Sequence, residues 1–366
     1  MKTNGGWKIY SLFLMIAFLV GGCGFKDIDK RLFAVSIGVD LAKDSSKKYL
    51  VSLKFAIPSA SKEQPNDFYI VSQEADSMSE AVRILKTKVD KEIDFSHAKV
   101  IIISEEVAKS RGNAGMYYWF NRRRDIQAIT WVAVGKPNAK DILKVKPKSE
   151  QVPSNSLFLA LGKDGSETPY VIPTYLFDFK YRLIERGIDP ILPIIEAKKD
   201  YFEINTAGLF NESKMIIHLA PEETKILNFL KSKEEKSSIK VERGKTVIVI
   251  DSQMVKAKYK IHTPKGSPPY IKVNVSVKGK LEEASRRVAN SQLYQYEKAA
   301  EKTLNQEFKN VLKKMQRAGV DPMGFGLRYR SRHFNHDDWE EWKKIYPNIT
   351  FKVHTKVQIT DTGLIE

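Results

Sequence analysis

Apolar and polar residues alternate along three stretches near the C-terminal end of the chain. Residues 255–261, 271–277 and 349–359 place apolar side chains at every second position, and lysines fill the positions between them in the first run. Successive side chains of a strand point to opposite faces, so these runs predict strands with one buried and one solvated face. Together they predict an antiparallel sheet whose outer face is open to solvent unless a partner covers it.

A long helical pattern separates the second and third of these runs. Residues 282–318 carry an apolar stripe at helical spacing, and Gly319 is suited to end the helix. Residues 337–345 predict a second, shorter helix that carries Trp339 and Trp342. With a hairpin over residues 206–219 and a helix that opens at Pro221, these elements predict a C-terminal α+β domain over residues 206–366.

The first half of the chain mixes strand and helix patterns. Residues 32–40, 49–57, 67–72, 98–103 and 126–134 predict strands, the first two forming a hairpin. Serines at positions 77 and 104 open helical patterns, the former as a capping box, and the aromatic segment 116–120 also has a helical pattern. The alternation predicts a mixed α/β N-terminal domain over residues 23–143.

Six prolines fall between positions 144 and 193. Because proline interrupts regular elements, residues 144–205 are predicted to form a small middle domain or a connector. The predicted fold class is therefore α+β or mixed α/β with several domains, including a C-terminal antiparallel sheet packed with a long helix.

The N-terminus has the layout of a secretory signal. Lys2 and Lys8 precede an uncharged apolar run at residues 11–20, and small residues close it before Cys23. The run is about half of the ~20 residues that a bilayer-spanning helix needs, so a permanent transmembrane helix is the weaker interpretation. Residues 1–22 are predicted to be removed.

The single cysteine sharpens this interpretation. One cysteine cannot form an internal disulfide, and the segment VGGC at residues 20–23 resembles a bacterial lipobox. The resemblance implies diacylglyceryl transfer to the Cys23 sulfur, cleavage before Cys23 and two or three acyl chains, which anchor a protein durably. The simpler alternative is that Cys23 is a buried, unmodified cysteine at the end of a signal peptide.

The charge balance indicates anionic partners. The formal net charge of +17 falls to +15 when the leader, which contains Lys2 and Lys8, is removed. Phospholipid headgroups and a merely solvated lysine surface both fit this balance. Nucleic acid fits less well, because export would separate the chain from it.

No catalytic constellation emerges, and no enzyme, cofactor or metal is predicted. His333, His336, Asp337 and Asp338 form the best metal candidate, but an aspartate there is better suited to cap the following helix. Arginines at positions 122–124 follow aromatic residues 117–120 and could grip headgroups, although a core helix with solvated arginines is the simpler interpretation. Three more basic residues predict a solvated strand or loop, with an anion site or protein interface as the alternative: Arg328, Arg330 and Arg332.

Several segments, in order, resemble the Ger(x)C family of spore germination lipoproteins over essentially the whole chain. They are FAVSIGVD at 33–40, DFSHAKVIIISEEVA at 94–108, TAGLF at 206–210, DPMGFGL at 321–327, WEEWKKIYP at 339–347 and TGLI at 362–365. Residues 24–27 depart from the family, whose members often carry Trp and an acidic residue after the lipidated cysteine. This departure leaves the subfamily open.

The resemblance implies a three-domain body lipid-anchored on the outer surface of the spore inner membrane. It also implies two integral membrane partners, an A-type and a B-type subunit, in a complex that senses nutrients. No catalytic residues are attributed to the family. The alternatives are a solute-binding lipoprotein of a transporter, which needs two similar lobes around a cleft, and an envelope hydrolase, which needs a catalytic site.

Overall fold

The computed structural model describes residues 28–57, 67–110, 112–149, 152, 154–162, 168–231, 237–264, 266–333 and 337–362. The strands in these ranges are β1 (Arg31–Leu41), β2 (Tyr49–Ile57), β3 (Asp67–Ala75), β4 (Glu92–Asp94), β5 (Val100–Ser104), β6 (Trp131–Lys136), β7 (Ile191–Ala197), β8 (Phe202–Phe210), β9 (Met215–Leu219), β10 (Ser237–Arg243), β11 (Thr246–His262), β12 (Tyr270–Ala284) and β13 (Thr350–Ile359). The helices are α1 (Met78–Leu85), α2 (Glu105–Lys109), α3 (Ala114–Arg122), α4 (Ala139–Lys144), α5 (Asn155–Leu161), α6 (Leu176–Ile184), α7 (Pro221–Lys231), α8 (Leu293–Arg317), α9 (Phe325–Arg330) and α10 (Asp338–Ile345).

The first nine strands form one mixed sheet, called sheet 1. Its order is β3-β2-β1-β5-β6-β7-β8-β9, with β4 pairing along β1. Strands β1, β5, β6 and β7 run parallel, and an antiparallel hairpin extends the sheet at each end. The predicted hairpin of β1 and β2 is confirmed, with Leu41 paired to Tyr49. The predicted mixed α/β character of this part is also confirmed.

The central strands of sheet 1 are buried on both faces because helices cover both. Every residue of β5 is buried, as its continuous apolar sequence requires. Ile101 and Ile103 face one core and Val100 and Ile102 face another. The predicted start of α1 is confirmed, since the Ser77 hydroxyl accepts a hydrogen bond from the Glu80 amide at 3.2 Å, although the Glu80 carboxylate accepts from the Asp76 amide at 2.9 Å and not from that of Ser77.

The proline-rich middle contributes to sheet 1. Helices α5 and α6 are short, and β7 pairs with β6 on one side and β8 on the other. The predicted boundary between residues 205 and 206 falls within β8. Side chains of β7 to β9 alternate between two cores, with Leu192 and Phe210 in the core of sheet 1 and Leu209 and Leu219 in the C-terminal core.

The C-terminal strands form a second sheet of order β10-β11-β12-β13, called sheet 2. The β11–β12 pair is antiparallel as predicted, and β10, for which no strand was predicted, adds a second antiparallel pair. Strands β12 and β13 are parallel, so a wholly antiparallel arrangement of the three runs was the wrong prediction. The connection between β12 and β13 passes through α8, α9 and α10, and such a crossover lets two strands run in the same direction.

Two predicted element bounds also need correction. The predicted helix over 282–318 begins only at Leu293, because residues 282–284 still pair with β11 as part of β12. The strand predicted over 126–134 begins at Trp131.

Helix α8 packs along sheet 2 and covers the edge of β13. Its stripe from Tyr296 to Met315 is buried, as the spacing predicts. Its polar side also contributes, since Asn305, Glu301 and Glu297 accept hydrogen bonds from the amides of residues 355, 357 and 359 at 2.9, 3.3 and 2.7 Å. Edge amides that would otherwise template another strand are thereby satisfied.

Candidate functional site

The predicted lipidation residue, Cys23, lies outside the described residues. The first described element is the turn Ile28–Lys30, which leads directly into β1. In the part of the chain that the structure describes, no helix is both long enough and apolar enough to cross a bilayer.

The histidine candidate does not assemble a metal site in the residues that can be described. His333 stacks on Tyr329 with ring centres 3.9 Å apart, and its Nδ1 lies 2.9 Å from the Tyr329 carbonyl oxygen. The Asp338 carboxylate accepts from Arg330, and His336 falls outside the described residues. Asp337 occupies the N-cap position of α10, but its side chain makes no capping hydrogen bond. Across the described ranges, no cluster of three or more His, Cys, Asp or Glu side chains could hold a metal ion.

The first arginine cluster follows a helix with two aromatic residues in the core and an exposed one, Tyr118. Tyr117 and Phe120 are buried in α3. The Arg123 guanidinium lies 4.9 Å from the centre of the Phe95 ring, and its Nε donates to Asp125 at 2.7 Å. Arg122 and Arg124 are exposed, as the simpler of the two interpretations predicts, whereas Arg123 is engaged within the fold.

The second arginine cluster does not lie on a strand. Residues 325–330 form α9, and this corrects the predicted strand or loop. The Arg330 guanidinium donates to Glu185 at 3.0 Å and to the Arg186 carbonyl oxygen at 2.9 Å. Arg330 thus connects α9 to the segment that follows α6. Helix α6 itself packs in the core of sheet 1.

That contact is part of a junction between the two halves of the chain, formed by residues 182–189 and residues 321–330. The amide of Asp189 donates to the Asp321 carbonyl oxygen at 2.9 Å, and the Asp321 amide donates back to the Asp189 carboxylate. The Leu327 amide donates to the Gly187 carbonyl oxygen at 2.7 Å. Arg182 donates to the carbonyl oxygens of Asp189 and Pro322 at 3.2 and 3.1 Å.

Two glycines permit the close approach at this junction. Gly187 has φ +91°, and a Cβ added there would lie 2.4 Å from the Leu327 nitrogen. A Cβ on Gly326 would lie 2.5 Å from the Trp342 Nε1 atom. Larger residues would force the two segments apart, so the backbone contact explains why glycines occupy these positions.

The junction also holds one buried carboxyl group, Asp321, and one half-buried carboxyl group, Asp189. The Asp321 Oδ2 atom accepts from the Gly326 amide at 2.7 Å. Burial raises the pKa of Asp321 to about 7 and that of Asp189 to about 6, and the nearby Asp189 carboxylate raises the pKa of Asp321 further. The sequence pattern pointed to residues 321–327 but gave no signal for Asp189, whose role depends on a partner 132 residues away.

A polar cavity of about 600 Å³ lies between α7, α8 and the start of sheet 2. The Tyr170 hydroxyl donates to Glu222 at 3.0 Å, and Lys225 forms an ion pair with the same carboxylate. Burial raises the pKa of Glu307. The walls of the cavity combine acidic, basic and apolar side chains, including Lys240, Glu242 and Leu304.

Both halves of the chain match models of spore germination protein families. Residues 24–197 match the spore germination protein N-terminal domain, and residues 205–363 match the spore germination B3/GerAC-like C-terminal domain. The resemblance found in the sequence motifs is thus confirmed along both halves of the chain.

Curated relatives align over nearly their entire length. Spore germination protein KC of Bacillus subtilis (strain 168) is 24% identical, over 96% of this chain and 95% of its own. Spore germination protein B3 of the same organism is 23% identical over 100% of both chains. Spore germination protein GerQC of Bacillus cereus is 21% identical over 98% of this chain and 100% of its own.

The fold has a solved counterpart in the crystal structure of the GerBC protein. It superposes with a TM-score of 0.60 and 18% sequence identity, covering 88% of this chain and 96% of that one. At this identity the likeness concerns the fold alone, and it confirms the α+β class. With two family models, full-length relatives and a shared fold in agreement, this chain belongs to the Ger(x)C family of spore germination proteins.

Proposed function

We propose that this chain is the lipid-anchored C subunit of a spore nutrient germinant receptor. The observation that carries the proposal is family membership along both halves of the chain, joined to a lipobox-like segment that ends at Cys23. The chain acts without catalysis, as a binding and assembly subunit on the outer surface of the spore inner membrane. Its partners there are an A-type and a B-type integral membrane subunit.

Acyl chains on Cys23 supply the membrane attachment. One acyl chain binds a bilayer only marginally, whereas two or three, at ~0.8 kcal/mol per buried methylene, hold a protein there durably. The described fold starts at Ile28, five residues after Cys23, so the tether is short and keeps the body beside the membrane.

The main alternative, a solute-binding lipoprotein of a transporter, finds little support. That class needs two similar lobes around a cleft. Sheets 1 and 2 differ here in strand number, order and direction, so the two halves of the described fold are not similar lobes.

The proposal is tested by replacing the acylated residue. In spores carrying Cys23→Ala the chain is expected to lack the diacylglyceryl group, and the germination response that depends on this receptor is expected to be lost. Mass spectrometry of the wild-type protein from spore membranes is expected to show a diacylglyceryl group on Cys23 and no leader. The matched control, Gly22→Ala, keeps a small residue before the cleavage point and is expected to retain both properties.

Two results would contradict the proposal. An unmodified thiol at Cys23, or a leader still attached, would rule out the lipid anchor. Purification from spore membranes without any A-type or B-type subunit would rule out the receptor assembly.

A further inference from the structure

The outer face of sheet 2 concentrates positive charge. Residues 254–262, 270–280 and 350–358 contain eight lysines and no acidic residue, against a formal net charge of +17 for the whole chain. Eight positive charges therefore lie on three neighbouring strand segments, and the acidic residues of the same strands, Asp251, Glu282 and Glu283, lie outside these segments. The lysines are Lys256, Lys258, Lys260, Lys272, Lys278, Lys280, Lys352 and Lys356.

The strand register brings these lysines to one side. Lys260 pairs with Lys272, which in turn pairs with Lys352 on the far side of β12. Two rows along, Ser276 lies between Lys256 and Lys356. Directly paired residues point to the same face of a sheet, so the eight lysines share one surface, which we call the basic face.

The basic face is exposed and poor in counter-charges. All eight lysines are exposed, while the intervening valines and isoleucines face α8. Of the eight lysines, only Lys280 has a described acidic side chain within ion-pair distance, Asp361 at 3.9 Å, and Lys280 is also the one that pairs with an acidic residue, Asp251. Like charges placed directly opposite each other on neighbouring strands disfavour the sheet, so an anionic partner would offset a cost built into this face.

The extent of the face indicates a partner with a broad surface. Strands lie about 4.8 Å apart and rise about 3.3 Å per residue, so the lysines cover an area roughly 10 Å by 30 Å. Exposed aromatic platforms of the kind that bind single-stranded nucleic acid are not available here. Tyr270, at one end of the face, already stacks on His262 at 4.5 Å and holds the Lys352 ammonium 3.6 Å from its ring centre.

We infer that the basic face binds an anionic lipid surface and so orients the body on the membrane. This inference rests on the proposed membrane location, because the lipid anchor would bring the face within reach of headgroups. The sheet gathers its lysines on one surface, and a leaflet rich in anionic lipid offers an extended array of phosphates. The anchor supplies attachment, and the basic face supplies orientation.

The experiment separates the basic face from the anchor. The mature chain from residue 23 onward, carrying Cys23→Ala and therefore neither leader nor acyl chains, is mixed with phosphatidylcholine vesicles that contain or lack phosphatidylglycerol, and bound protein is measured by flotation. Binding is expected only with phosphatidylglycerol and is expected to weaken as salt is added, because salt screens the attraction.

A triple variant then tests the location of the binding surface. Lys258→Gln, Lys272→Gln and Lys356→Gln remove one lysine from each strand and are expected to weaken binding about a hundredfold, at about fivefold per lysine. The matched control, Lys91→Gln, Lys302→Gln and Lys313→Gln, removes the same charge at exposed positions off the face and is expected to change binding less than about fivefold. Arginine at the three face positions keeps the charge and is expected to preserve binding.

Several outcomes would overturn the inference. Equal binding to neutral and anionic vesicles, equal loss in the two glutamine triples, or loss in the arginine triple would each do so. Binding to RNA without binding to anionic vesicles would also overturn it. Circular dichroism of each variant checks folding, and the arginine triple keeps the test valid if the glutamine triple does not fold. If Cys23 proved unmodified while vesicle binding persisted, the proposed anchor would fail and the basic face would stand.

Discussion

The carboxyl group of Asp321 predicts how the stability of the C-terminal half depends on pH. Its side chain is 5% exposed, its Oδ2 atom accepts from the Gly326 amide, and its Oδ1 atom has no hydrogen-bond partner among the described atoms. Burial raises its pKa from 3.8 to about 7. An ionised carboxylate is costly in this place, so the folded state prefers the protonated acid.

The sign and size of this pH dependence of stability follow from proton linkage. Between pH 4 and pH 7 the unfolded chain has already released this proton, whereas the folded chain still holds it, so stability falls as pH rises. The loss is about 1.4 kcal/mol for each pH unit. Between pH 5 and pH 8 the carboxyl group of Asp321 is therefore expected to remove about 3 kcal/mol of stability, with most of the loss complete by the folded pKa near 7.

The substitution Asp321→Asn removes this titration and keeps an oxygen for the Gly326 amide. Relative to wild type, the variant is expected to gain about 3 kcal/mol on going from pH 5 to pH 8. For a domain of this size, that corresponds to a rise of roughly 5 to 10 °C in Tm relative to wild type, measured by calorimetry at both pH values.

An exposed carboxylate provides the matched control. The amide of Phe68 and the ammonium of Lys146 lower the pKa of Asp67, so Asp67 stays ionised throughout this range. Asp67→Asn is accordingly expected to leave the pH dependence between pH 5 and pH 8 unchanged. If Asp321→Asn and wild type kept a constant Tm difference from pH 5 to pH 8, the raised pKa and the junction argument would both be refuted.

Two further substitutions test the packing around sheet 2 and the junction. Phe308→Ala empties a fully buried position of α8 and is expected to cost about 3–5 kcal/mol in urea unfolding, whereas Lys313→Ala on the exposed side of the helix should cost less than about 0.5 kcal/mol. Gly326→Ala places a Cβ against Trp342 and is expected to cost about 1–3 kcal/mol, while Gly115→Ala in α3, with nothing within 4 Å, should stabilise slightly. A stable Gly326→Ala chain would contradict the close approach at the junction.

Local periodicity predicted most of the individual elements. The three alternating runs became β11, β12 and β13, and the stripe from Tyr296 to Met315 became the buried side of α8. The capping pattern at Ser77 placed the start of α1 correctly. These features succeeded because each depends on neighbours one to four positions away along the chain.

Strand direction and the ends of helices and strands were harder to predict from the sequence. The parallel direction of β13 depends on the path of the chain through three helices, and the continuation of β12 to Ala284 depends on pairing with β11. Neither dependence leaves a periodic trace in the sequence. The start of the helix predicted over residues 282–318 was therefore placed too early, since the helix begins at Leu293.

The sequence by itself determined the strand and helix periodicities, the lipobox-like segment before Cys23 and the motifs that identify the family, because all of these are local patterns. Only the tertiary structure decided which distant residues meet. It joined Asp189 to Asp321 and collected the lysines of three strands onto one face. Such contacts arise when elements far apart in the chain bury their apolar faces together, and the energy of that burial belongs to no single segment.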